Sequence, residues 1–431
     1  MLLIYTHKIS NRLRYVTQQC IQNILKVDFE LTTSVEDFIK HDGPKITYAK
    51  QPLQNEFFIE SHPLLFEKGV RAVDVTAGQW NDIPYFFGVG EKSKIPFDLF
   101  AASFYLLSRY EELLFHVKNP KNEFKAELSV LHKLDALRTP LIDLWMHAFY
   151  ESLREQFDQI PERSSQLNYE LSLNVVQAFK YSGRGLMRHL TESLGDIARF
   201  NLNAFKKRFS VWLGQNQDPF LIYDALIERL DNTPIKLRFF FEYSKYLFED
   251  QNISRFRSSL NRLIKSVADY KTVALSISHL GLQDSKALER ERLELTKQIH
   301  RPIWYALHSK LNLRMPHYFK RLIEAEVRDD FSMGYADKIG FRSGTSSTHF
   351  FYDLDVEMVQ PLKVHPFVMT NFIFVNRRAA KKAFSDLRAI VDQTQNIGGS
   401  LRFVFSNEFV AETPGATYFE NLIQFLDESQ D

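Results

Sequence analysis

Between residues 169 and 407 the chain alternates short apolar runs with longer amphipathic ones, and this rhythm restricts its fold more than any other feature. The runs at 169–176, 235–243, 272–279, 303–309, 363–375 and 401–407 have the length and composition of buried strands. Helical patterns lie between most of them, including "ALERERLELTKQI", "RRAAKKAFSDLRAIVDQ" and a basic stretch over 185–213. A helix between two strands makes them run parallel, and roughly 270 residues of such units are expected to form a closed or nearly closed barrel.

The first part of the chain is organised differently. Short strands, "LLIYTH", "FELTT", "PKITYAK" and "EFFIES", surround a helix over 12–25, with turn residues such as Asp42, Gly43 and Pro44 between them. A helix follows in "KIPFDLFAASFYLLSRYEELLF", with Pro96 near its first turn and apolar residues on nearly every side, so it should be buried. After "TPLIDLWMHAFYESLREQF" the stretch "DQIPERSSQ" reads as a linker. The expected organisation is therefore a smaller α/β domain over 1–161 and a barrel over 166–431, with the boundary near Pro161.

The 431 residues exceed one typical domain, and 45% hydrophobic content with 38 Phe and 18 Tyr provides for large cores. With 54 Lys and Arg against 53 Asp and Glu, the chain has no global field for nucleic acid or an anionic membrane. Cys20 is the only cysteine, which excludes an intrachain disulfide and a thiolate zinc site and fits a cytoplasmic address. The start, "MLLIYTHKIS", is too short in apolar residues for a signal peptide, and no run approaches a membrane span.

In "NYELSLNVVQAFKY", Leu171, Leu173 and Val175 fall on one strand face and Ser172, Asn174 and Val176 on the other. The second face, near a barrel strand's C-terminal end, is where enzymes of this architecture place carboxylates. Asn174 and Val176 stand there instead.

Several stretches in order, "KQPLQNEFFI", "IPFDLFAASFYLLSRYEE", "TPLIDLW", "DFSMGYADKIGFRSGT" and "FYDLD", resemble the polysaccharide deacetylases of the NodB-homology type, in the subgroup with an extra N-terminal domain. The resemblance implies a distorted (β/α) barrel that removes N-acetyl or O-acetyl groups from sugars. It also implies a divalent metal, usually zinc, held by one aspartate and two histidines, with a second aspartate as base and a further histidine as acid. The two aspartate positions fall on Asn174 and Val176. The histidine positions fall on Ser276 in "VALSISH", Ser309 in "WYALHSK" and Ser406 in "FVFSNEF". An amide, a methyl pair and three hydroxyls supply neither zinc ligands of the usual kind nor a base. The resemblance thus implies a member whose catalytic positions are degenerate.

Other residues are candidates for a rebuilt site. His279 and His308 lie close to the lost positions and are weak candidates for a metal, although His308 should point to the opposite face from Ser309. Asp353, Asp355 and Glu357 in "FYDLDVEM" would share one face if extended, as acid/base or calcium carboxylates do, or as the wet face of a strand does. "GFRSGTSST" offers backbone N–H groups and Arg342 for an anion, without a phosphate-loop ending, and otherwise reads as a tight turn. The basic stretch is interrupted by Glu192 and Asp196 and reads as a packed helical insertion or a protein-docking surface. No nucleophile-elbow pattern surrounds the three serines.

The leading expectation is a catalytically inactive deacetylase-like protein, without cofactor, that binds a glycan or a glycan-processing partner. Arg342 and Asn407, and then Tyr335, are the expected ligand contacts. The alternatives are an active carbohydrate deacetylase or other hydrolase with a non-standard site, with zinc if the centre is rebuilt, and a structural subunit of an assembly. The sequence does not fix the oligomeric state.

Overall fold

The computed structural model describes residues 1–114, 124–160, 162, 166–182, 202–244 and 253–429. The expected boundary at Pro161 and residues 185–201 of the basic stretch, Glu192 and Asp196 among them, lie outside the described residues.

The first part is built on a parallel sheet. Strands β1 (Leu2–Tyr5), β2 (Phe29–Thr32), β3 (Lys45–Ala49) and β4 (Phe57–Glu60) are ordered β2-β1-β3-β4. A hairpin of β5 (Ala77–Trp80) and β6 (Ile83–Phe86) follows. Every residue of the helix Leu99–Leu107 is buried, as its all-round apolar sequence requires. The helix begins at Asp98, whose carboxylate accepts from Ala101 N at 2.9 Å; Pro96 lies before it, so the expected proline start is replaced by an aspartate cap. Helix Leu141–Gln156 closes this core over Trp145 and Phe149.

The second part carries β7 (Leu167–Val175), β8 (Lys236–Glu242), β9 (Thr272–Ile277), β10 (Tyr305–His308), β11 (Asp329–Asp330), β12 (His349–Asp353), β13 (Met358–Val364), β14 (Met369–Thr370) and β15 (Gly399–Ser406). They form one sheet in the order β12-β13-β11-β10-β9-β8-β7-β15-β14, parallel throughout except between β12 and β13. The sheet is a half-barrel whose two edge strands do not pair. Its outer face, with Leu171, Leu173, Phe239, Phe241 and Phe403, packs under helices such as Ser285–Ile299 and Arg377–Gln395. Its inner face gathers Phe240, Ala274, Leu307, Phe331, Phe367 and Val404 into a separate core.

The segment after β11 runs against the chain that crosses from β13 to β14. Met333 O accepts from Phe367 N at 2.9 Å, Gly340 N donates to Val368 O at 2.9 Å, and Thr370 Oγ1 donates to Ala336 O at 2.6 Å. This crossing corrects the single strand expected over 363–375. The chain leaves β13 at Val364, re-enters the sheet only at Met369–Thr370, and coils into a short 3-10 turn at Asn371–Val375.

Among the described residues no helix is long and apolar enough to cross a membrane.

Candidate functional site

Strand alternation sends Ser172 and Asn174, Glu242, Ser276 and Ser406 to the inner face at or near the C-terminal ends of β7, β8, β9 and β15. There the Ser276 hydroxyl donates to Asn174 Oδ1 at 2.7 Å, and Asn174 Nδ2 donates to the Ser309 carbonyl at 2.9 Å. Ser276 is fully buried and Asn174 nearly so. The amide thus links the Ser276 hydroxyl to the Ser309 backbone carbonyl as a hydrogen-bonded plug.

A cavity of about 550 Å³ opens beside this plug. Asn174, Val176, Ser309, Ser406 and Asn407 line it together with Phe372, Phe374, Phe409 and Tyr418. Ser406 caps the helix Asn407–Ala411, accepting from Phe409 N at 3.3 Å, and its own N–H donates to Asn371 Oδ1 at 2.9 Å. Asn407 is buried and donates to the Gln177 carbonyl at 2.8 Å. The structure therefore gathers the five positions taken from the sequence, with Asn407, at one end of the barrel.

The donor set at this end does not suit zinc. It offers an amide oxygen already engaged by the Ser276 hydroxyl and the weakly ligating hydroxyls of Ser309 and Ser406, and among the described residues no three His, Cys, Asp or Glu side chains converge as metal ligands. His308 points away from the cavity, as strand alternation requires. Its ring lies 5.3 Å from that of Tyr318, its Nδ1 accepts from Lys310 N at 3.1 Å, and burial pushes its pKa down to about 4. His279 is exposed beside Gln283, 3.1 Å from its amide nitrogen.

Glu242, not singled out in the sequence, stands in register with Ser276 on the next strand. Burial and the neighbouring Glu291 push its carboxyl up to about 7. A lone acid ending the apolar run "LRFFFE" was the available signal.

Arg342 and Tyr335, expected at the ligand, lie instead in the seam between the two parts. Arg342 Nε and Nη2 donate to Glu112 at 2.9 and 2.7 Å, and Arg109 Nε donates to the same carboxylate at 2.8 Å. Tyr335 is buried with the Arg342 guanidinium 5.2 Å from its ring centre. The rest of "GFRSGTSST" does hold an anion, but one from its own chain. Asp143 accepts from Thr345 Oγ1 at 2.9 Å, Ser346 N at 2.7 Å and Ser347 Oγ at 2.8 Å.

The carboxylates of "FYDLDVEM" do not share a face. β12 ends at Asp353 and the chain turns, so Asp353 and Asp355 meet Lys320 at 3.3 and 2.6 Å while Glu357 pairs with Arg12 of the first part.

Residues 2–158 match the model of a family of unknown function, DUF7033. No curated protein matches the chain. Among solved structures it is similar to a protein of Mycobacterium smegmatis assigned by name to the polysaccharide deacetylases, at 12% identity and a TM-score of 0.38 over 62% of this chain and 85% of that one. The 4-alpha-glucanotransferase of Thermococcus litoralis is similar at 12% identity and a TM-score of 0.36, over 61% of this chain and 37% of that one. PuuE allantoinase is similar at 10% identity and a TM-score of 0.36, over 61% and 84%.

Proposed function

We propose that this protein is a deacetylase-like barrel without a catalytic metal centre, which binds an acetylated glycan or a glycan-processing partner at the barrel mouth and does not turn it over. The observation that carries this reading is the Ser276–Asn174–Ser309 plug. It occupies the strand ends where the family resemblance calls for a base and metal ligands with an amide and a hydroxyl that are bonded to each other. The adjoining cavity combines groups that suit a sugar, the amides of Asn174 and Asn407 and the hydroxyls of Ser309 and Ser406 with the rings of Phe372, Phe374, Phe409 and Tyr418.

The test is metal content by mass spectrometry after expression with added zinc and dialysis against metal-free buffer, followed by titration with an N-acetylglucosamine oligomer. Less than about a tenth of an equivalent of zinc, with oligomer binding that Phe372→Ala weakens by ~10-fold, is the expected result. Near-stoichiometric zinc with chelator-sensitive acetate release would overturn it.

A further inference from the structure

A second cavity, about 730 Å³, lies around the first residues of β7, β10, β11 and β15, where the barrel meets the first part of the chain. Three side chains on its wall form an ordered relay. His365 Nε2 is 2.7 Å from Asp329 Oδ1, and His365 Nδ1 is 3.1 Å from Thr348 Oγ1. An ionised carboxylate only accepts, so Asp329 fixes the imidazole proton on Nε2 and leaves the Nδ1 lone pair facing the Thr348 hydroxyl. The ring cannot swing away, since it lies flat on Phe331 with centroids 4.2 Å apart and planes 1° from parallel. Burial outweighs Asp329 and lowers the His365 pKa, which favours the neutral ring with its Nδ1 lone pair available.

Thr348 is equally fixed. Its carbonyl accepts from Gln19 Nε2 at 2.8 Å, and its Oγ1 accepts from Arg402 Nη2 at 3.0 Å. The Arg402 guanidinium, 3.0 Å from the hydroxyl and paired through Nε with Glu170 at 3.4 Å, can donate to an oxygen bound beside Thr348. Thr348, His365 and Asp329 are only part-buried, so the relay faces the cavity and is not sealed in the seam. Lys26 and Lys363 line the same cavity and enter no ion pair among the described residues.

We propose that this cavity is a metal-independent esterase site, with Thr348 as nucleophile, His365 as general base, Asp329 as the positioning carboxylate and Arg402 as the oxyanion donor. Its substrate is a small ester whose acyl group carries a carboxylate, held by Lys26 and by Lys363, whose ammonium lies over the Phe350 ring on the same wall. Thr348 Oγ1 bonds to the acyl carbon as its proton passes to His365 Nδ1. The ester C–O bond then breaks, and the alcohol leaves with that proton. Water attacks the acyl-threonine, its proton passing to Nδ1; the acyl C–Oγ1 bond then breaks, Thr348 Oγ1 takes that proton back from Nδ1, and the acid is released. The site is independent of the barrel mouth and of any metal.

The test uses the full chain with chelator present and 4-nitrophenyl hydrogen succinate as probe. The expected result is nitrophenol release that Thr348→Val lowers by ~100-fold, that Thr348→Ser retains in part, and that Asp329→Asn lowers with a shifted pH profile. Acid-quenched wild-type protein should carry the succinyl group on the peptide containing Thr348, a readout that needs no variant to fold. Faster release from 4-nitrophenyl acetate than from the succinate would overturn the substrate class. No acyl adduct at Thr348, with release equal in wild type and Thr348→Val, would overturn the site.

Discussion

The Glu112 carboxylate sits between Arg109 and Arg342, and all three side chains are buried. Arg109 also pairs with Glu111 at 2.8 Å, so removing the Glu112 charge leaves chiefly Arg342 uncompensated, at ~3 kcal/mol. Glu112→Gln is expected to lose that much at pH 7, read from urea unfolding. Burial alone would raise the Glu112 pKa, but the guanidiniums of Arg342 and Arg109 outweigh it and hold the group at about 2, against an ordinary 4.5. The folded-state pKa is depressed, so its contribution is whole above pH 4.5 and is lost as the pH falls toward 2. Wild-type and Glu112→Gln stabilities should therefore converge through that window. Curves that remain parallel down to pH 2 would show that Glu112 does not carry the seam's charge.

Among the elements, the loop over 340–348 does the most joining. Phe341 N donates to Leu137 O at 2.8 Å and Ile142 N to Gly344 O at 2.9 Å, so the loop is bonded to the first part by backbone as well as side chains. At Gly340, φ is +139°, and a Cβ would collide with the Leu137 carbonyl oxygen that receives this bond. Gly340→Ala should cost more than ~3 kcal/mol, whereas Gly214→Ala, at φ +73° with open space around it, should cost only the ~1 kcal/mol of left-handed backbone strain. Equal shifts in denaturation midpoint would mean that the collision is relieved without disturbing the seam. The chemistry of this loop is only partly legible in the sequence, where its hydroxyls, N–H groups and arginine allow an anion but a tight turn is the favoured reading. The anions themselves are not, because Asp143 lies 202 residues from Thr345 and Glu112 lies 230 from Arg342. The inner and outer faces of β7 followed from the alternation at Leu171–Val175, which is a local signal. The turn in "FYDLDVEM" did not, because Glu357 is drawn out of alternation by Arg12, 345 residues away. The Thr348–His365–Asp329 relay escaped for the same reason, its members coming from three separate elements.

For the whole molecule, the two sheets have separate cores, yet Tyr352 and Leu354 of the second part are buried in the core of the first. Separation of the parts would expose them, strip Asp143 of its donors and leave Arg342 unpaired. A chain of this length would ordinarily unfold in stages. Here the seam predicts a single calorimetric transition, with van't Hoff and calorimetric enthalpies in agreement. Weakening the seam by Asp143→Ala with Tyr352→Ala should split it in two. Two transitions in the wild type would mean that the parts hold themselves together independently and that the seam contributes little. The same split bears on the second cavity, whose wall includes Asn23 and Lys26 of the first part and Thr348 and His365 of the second. Gln19 holds Thr348 across that junction, so loosening the seam should loosen the relay before either core melts.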